Sequence, residues 1–185
     1  MKKTILVSLF LVATIALYCV AAGMPEFSAD MIVKTKSNTM LSKIYFSNNK
    51  IRTETDKSIG IIRMDKNVMW TLMPAQKMYM ESKFDPQKAP VTTEKVPGEV
   101  SRVKLGNEKI NGVACTKYKV TYKDNKKTTQ SYQWMSSDNI PMKTAAIDGS
   151  WSTEYKNLKK GKVDPSLFEV PKGYSKFSMP AIPKY

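Results

Sequence analysis

Histidine is absent from the 185 residues, and cysteine occurs only twice. Without histidine there is no Ser–His or Cys–His pair, no imidazole metal ligand and no general base of the commonest type. There is no Gly-x-Ser-x-Gly elbow and no cluster of metal ligands, so an enzyme is the weakest of the readings and neither a cofactor nor a metal is expected. Nucleic-acid motifs are missing, and the lysines are spread along the chain rather than gathered into a stripe, which speaks against a nucleic-acid partner. Acidic residues are scarce: 16 Asp and Glu stand against 30 Lys and Arg, a net charge of +14. That excess favours anionic partners such as a membrane surface; its blander reading is a solvated exterior.

Long apolar runs are also absent, with one exception at the start. Met1-Lys2-Lys3 is a positive segment, and Thr4 to Val20 follows without a charge. Small residues at Ala21, Ala22 and Gly23 complete the pattern of a cleavable secretory signal, with the cut expected after Ala22 or, alternatively, Gly23. A retained anchor is the rival reading, but the run falls short of the roughly 20 residues that span a bilayer. Cys19 follows bulky Tyr18 rather than a small residue, which argues against lipid attachment. Removing residues 1–22 leaves 163, a single-domain length, and lowers the charge to +12 because Lys2 and Lys3 go with it. Cys115 is then the lone cysteine, so no intramolecular disulfide is available and an ordinary core must hold the fold. The expected location is the periplasm, with secretion or envelope association as alternatives, and the expected state is a monomer.

What remains reads as strands and tight turns. Phe27, Ala29, Met31 and Val33 alternate with Ser28, Asp30, Ile32 and Lys34. Further strands are expected at 41–46, 51–55, 59–64, 68–73 and 77–83. Others follow at 100–110, 113–123, 128–136, 140–147 and 151–158. Asn111-Gly112 and Asp148-Gly149 mark hairpin turns that tolerate positive φ. Asp164-Pro165 predicts a helical first turn at 166–168. The stretch 84–99 holds three prolines and a glycine and reads as a connecting loop; residues 175–185, with Pro180 and Pro183, read as a partly mobile tail. Ten or eleven short strands without an amphipathic helix predict a sandwich or a curved, barrel-like sheet in one domain, 23–185.

Methionine is abundant, with eleven beyond Met1. A flexible, polarisable side chain suits a surface that accepts variable apolar shapes, although core filling explains any single one. A candidate apolar ligand face is drawn from Met31, Val33, Trp70, Leu72, Met78, Met80, Tyr118, Tyr132 and Trp134. Tyr118 and Tyr122 alternate with Lys117, Lys119 and Lys123, which predicts an in/out strand. Cys115 is read as a buried thiol, and Glu54 with Asp56 as exposed strand carboxylates.

Several stretches carry a resemblance: Ser42 to Phe46, Ile61 to Pro74, Gly112-Val113-Ala114-Cys115-Thr116-Lys117-Tyr118, Trp151 to Leu158, and the closing Phe168-x-Val170-Pro171-x-Gly173-Tyr174. They resemble the DUF4412 family, within the outer-membrane lipoprotein carrier and receptor (LolA/LolB-like) superfamily. The resemblance implies a mainly β fold, a strongly curved antiparallel sheet forming an unclosed barrel, with an apolar concave face. In carriers helices cover that face and it shelters acyl chains. One long chain is worth on the order of 10 kcal/mol, at about 0.8 kcal/mol per methylene. Here only Gly23-Met24-Pro25-Glu26 precedes the first strand, and 84–99 stands where carriers have helices, so few or no lid helices are expected. Carriers also use an arginine near the turn after the second strand, where this chain has Asn48, Asn49 and Lys50, with Arg52 beyond. Three functions compete. The first is an envelope binding protein for a lipid, an acylated protein or another apolar ligand. The second is an interaction or structural domain with a plugged concave face. The enzyme comes third.

Overall fold

Period-two alternation governs the chain from its first ordered strand. The computed structural model describes residues 24–84, 98–124 and 127–177. Strand β1 (Phe27–Thr35) buries Phe27, Ala29, Met31 and Val33 and leaves the residues between them partly exposed. A meander follows: β2 (Thr39–Ser47), β3 (Lys50–Glu54), β4 (Ile59–Arg63), β5 (Val68–Met73) and β6 (Met78–Lys83). A second meander contains β7 (Glu99–Ile110), β8 (Val113–Asp124), β9 (Lys127–Ser136), β10 (Pro141–Ala146) and β11 (Trp151–Lys160). A two-residue β12 (Ser175–Lys176) ends the described chain. The expected signal segment 1–22 and all but the ends of the 84–99 connection lie outside the described residues, as does the tail from 178. The start of that tail is not free: Ser175 and Lys176 pair with Met78 and Tyr79.

All strands join one sheet in the order β12-β6-β5-β4-β3-β2-β1-β11-β10-β9-β8-β7. Strand β11 returns antiparallel to β1, from Phe27↔Lys160 to Thr35↔Trp151, and this welds the two meanders. Every pairing is antiparallel except β12 on β6. The sheet does not close, so it is an unclosed barrel with β7 at one edge and β12–β6 at the other.

The turns follow from residues that accept left-handed backbone. Asn48 and Asn49 (φ 39° and 65°) close β2–β3, and Asn111 and Gly112 (φ 48° and 83°) close β7–β8, both as two-residue type I′ hairpins. The turn at Asp148-Gly149 differs from that expectation. Only Gly149 (φ 70°) has positive φ, and its amide bonds back to Ala146 O. The connections β4–β5 and β5–β6 share one design, a single 3₁₀ turn ended by Asn67 (φ 56°) or Lys77 (φ 49°). The helical turn expected near 166–168 is a 3₁₀ turn over Pro165–Phe168, capped by Asp164, whose carboxylate accepts from Ser166 N at 2.9 Å.

Two apolar clusters hold the sheet. The larger gathers Phe27, Met31, Ile44, Phe46, Ile51, Ile62 and Tyr155, with Ile140 and Met142 fully buried. Phe27 stacks on Phe46 with ring centroids 5.7 Å apart. The smaller joins Ile61, Trp70 and Leu72 to Val163 and Phe168, which come from the segment after β11. That segment is a strap laid across the outer strands, and it is why β3 and β4 are buried on both sides.

Candidate functional site

Residues paired directly across antiparallel strands share a face, so the register assigns every side chain to one of two surfaces. Met31, Val33 and Tyr155 share a face with Ile44, Phe46, Ile51 and Ile62. The same face continues through Met69 and Met73 on β5 to Met78 and Met80 on β6. On the other side of β1 it continues through Thr153, Thr144 and Gln133 to Tyr118. The opposite face carries Arg52, Ile61, Trp70, Leu72 and Glu81, and farther round Lys143, Tyr132, Trp134 and Lys117.

The register therefore divides the nine candidate residues between the two faces, although Trp134, with Tyr132 against it, belongs to the same apolar cluster as Met31 and Val33. Met31, Val33, Met78, Met80 and Tyr118 lie on one face; Trp70, Leu72, Tyr132 and Trp134 lie on the other. Trp70 and Leu72 sit beneath the strap, with Leu72 wholly buried. Trp70 donates its Nε1–H to Glu81 Oε2 at 2.9 Å, and Lys66 Nζ stands 5.8 Å from its ring. Tyr132 and Trp134 meet edge to face, 6.0 Å apart. Lys117 Nζ stands 4.8 Å from the Trp134 ring and 5.0 Å from Tyr132, and Lys143 Nζ stands 5.3 Å from Trp134. Glu108 completes this stack, accepting from Trp134 Nε1 at 2.7 Å and from Lys117 at 2.9 Å. These hydrogen bonds hold the Glu108 carboxyl below its usual range.

The Met31 face changes character along its length. Around β1 and β2 it is filled: Phe27, Met31 and Ile44 are wholly buried. Around β8–β11 it is polar, with Ser131, Gln133 and Thr153 buried. Arg102 reaches into this region, donating to Gln133 Oε1 at 2.8 Å, standing over the Tyr118 ring, and pairing with Glu99. The Thr153 hydroxyl is buried with no hydrogen-bond partner among the described residues. At β5 and β6 the face opens, because Met69, Met73, Met78 and Met80 are all only partly buried. Met73 lies directly opposite Met78, while Met80 faces Thr71 and Met69 faces Ser82, so the methionines share this end of the face with two hydroxyl side chains.

The strap is fixed by two arginines, Arg52 and Arg63, neither of them among the candidate site residues read from the sequence. Arg52 donates to Leu167 O at 2.7 Å, and Arg63 to Phe168 O at 3.2 Å. Arg63 also pairs with Asp65 at 2.6 Å and with Glu169. Its hydrogen bonds to Asp65 keep the guanidinium charged and hold the Asp65 carboxyl below the ordinary range. Both arginines are under a tenth exposed and hydrogen-bonded to strap carbonyls, which makes them braces for the strap. Cys115 is 4% exposed, and burial pushes its thiol up, away from a reactive thiolate. Among the described residues no three His, Cys, Asp or Glu side chains gather as metal ligands.

Residues 21–147 match the family described as "Domain of unknown function (DUF4412)". The chain belongs to the DUF4412 family. No curated protein matches it. Among solved structures, this DUF4412 chain is similar to MucB, with a TM-score of 0.54 at 12% identity over 87% of this chain and 62% of that one. It is also similar to a chain of the Pseudomonas aeruginosa MucA/MucB complex (TM-score 0.51, 14% identity, 89% and 60% covered). A third likeness is to MucB in complex with MucA(peri) (0.52, 10%, 89% and 60%). The DUF4412 chain thus spans less than two thirds of those chains, and the likeness is one of fold.

Proposed function

We propose that this chain is an exported, non-catalytic binding protein of the cell envelope that holds an acyl chain, from a lipid or an acylated protein, against the methionine-lined end of its Met31 face. The observation that carries this reading is the partly buried group Met69, Met73, Met78 and Met80, continuous across β4 and β3 with buried Ile62, Ile51 and Phe46. Thioether side chains adapt to variable apolar shapes, and a surface that leads into an apolar core lets an alkyl chain leave water. Binding rather than catalysis is supported by the carboxylates. Glu26, Asp65, Glu81 and Glu108 are each held below the ordinary range by donors, so each is an ionised acceptor rather than a poised acid. The signal-like first 22 residues support export.

A second reading has its own observation. Phe27, Met31, Ile44 and Tyr155 fill the β1–β2 and β11 part of the same face to within 1% of complete burial. That suits an interaction domain whose inner surface is plugged and whose partner docks elsewhere.

The mature chain titrated with a pyrene-labelled long-chain fatty acid separates the two. The acyl-chain reading expects saturable binding that weakens at least tenfold in Met78→Glu/Met80→Glu, with circular dichroism unchanged. No saturable binding, or equal binding by the variant, refutes it and leaves the plugged-domain reading.

A further inference from the structure

The two edges of the sheet are treated differently. At one edge the chain spends Ser175 and Lys176 as β12 to cap β6, and Lys176 locks onto Glu81 at 2.6 Å. At the other edge β7, which with β8 is one of the two longest strands at 12 residues, pairs only with β8 among the described residues. An unpaired edge presents a row of backbone donors and acceptors ready to take another strand. Aliphatic residues line it: Val100, Val103 and Leu105 are 58%, 53% and 50% exposed.

The charge around this edge has one sign left over. Glu99 is consumed by Arg102, and Glu108 by Lys117 and Trp134. Lys104 and Lys109 on β7 have no ion-pair partner among the described residues, and the next strand adds Lys119 opposite Val103. A second copy of this chain would bring a second set of these lysines to the same edge, so an acidic partner is the better complement. Bulges near Val100 and Leu105 break the edge into short straight runs, which discourages indiscriminate pairing while leaving 101–104 and 106–110 regular.

We propose that β7 is a docking edge for an extended acidic segment of a partner protein, one that alternates carboxylate and apolar side chains and adds as a thirteenth strand. Main-chain hydrogen bonds to β7 supply the affinity. Val103 and Leu105 take the apolar side chains, and Lys104 and Lys109, on the face opposite Val103, take the carboxylates. This edge lies at the opposite end of the sheet from the methionines of β5 and β6, so the proposal stands or falls independently of acyl-chain binding.

A displayed library of ten-residue peptides panned against the full mature chain tests it. The expected result is enrichment of acidic, alternating peptides that lose at least tenfold in affinity against Val103→Lys/Leu105→Lys and against Lys104→Glu/Lys109→Glu. The second variant should also shift enrichment towards cationic peptides. Hydrogen exchange should show the β7 amides slowed by bound peptide, and thermal melts confirm that both variants fold. No enrichment, enriched peptides without acidic character, or binding indifferent to both variants overturns the proposal. Concentration-dependent dimerisation abolished by Leu105→Lys also overturns it, in favour of self-pairing.

Discussion

Phe168→Ala measures how firmly the strap belongs to the fold. Phe168 is wholly buried and packs with Ile61, Trp70, Leu72 and Val163. Its neighbours on the strap are pinned by Arg52 and Arg63 through the carbonyls of Leu167 and Phe168, so the backbone cannot easily collapse into the space left behind. Truncating a buried phenylalanine under such constraint costs about 3–5 kcal/mol, transfer and cavity contributions together. Domains of this size hold roughly 5–15 kcal/mol, so the loss is a large share of the whole. Urea unfolding followed by tryptophan emission, with Trp70 under the strap as an internal reporter, reads it. If the strap folds with the sheet, the unfolding free energy falls by that amount, the midpoint shifts down by that loss divided by m, and the m-value is unchanged. A loss below about 1 kcal/mol refutes the reasoning, since it would mean that the strap contributes little to the core it covers.

Three further outcomes follow from the same structure. Glu26 accepts from the Val163 amide and from the Ser47 hydroxyl, which hold its folded-state pKa below the unfolded value of 4.5. Its stabilising contribution is therefore complete above that value and lost as pH falls through the lower folded pKa, and Glu26→Gln should flatten the acid limb of a stability–pH curve. Asn111 donates to Glu154 Oε1 and Tyr155 O while holding φ at 48°, so Asn111→Ala should cost about 1–3 kcal/mol. Asn111→Gly, which relieves only the backbone strain, should recover part of that loss in the same denaturation assay. Cys115 should react with a thiol reagent at neutral pH at least tenfold more slowly in the native chain than in urea, because burial both shields the thiol and raises its pKa; equal rates would contradict its placement.

The strand plan was legible because alternation is a local property. Phe27, Ala29, Met31 and Val33 announce β1 without reference to any partner, and Asn111-Gly112 announces its own turn. The sharing of faces was not legible, because parity is set by loop length and register. One residue more or less at the Asn67 turn would exchange Trp70 for Met69 on the Met31 face, and at the Lys77 turn it would exchange Met78 and Met80 for Tyr79, so the sequence alone does not separate Trp70 and Leu72 from the Met78 and Met80 they oppose. A signal was available: Ile61-Ile62 and the near-unbroken apolar run Val68 to Met73 indicate strands covered on both sides. The cover itself was hidden because Val163, Leu167, Phe168, Val170 and Tyr174 follow neither a strand nor a helix period. The weld of β11 to β1 and the two-residue β12 depend on pairing partners more than a hundred and nearly a hundred residues away, which no local pattern encodes.

The central claim is that the methionine-lined end of the Met31 face holds an acyl chain. Native mass spectrometry of the mature chain, purified without detergent from cells that export it, tests this most directly. The account predicts bound species whose masses and fragments are those of acyl lipids, present on the wild-type chain and absent from Met78→Glu/Met80→Glu. A wild-type chain that flies ligand-free, or lipid that persists on the variant, contradicts it.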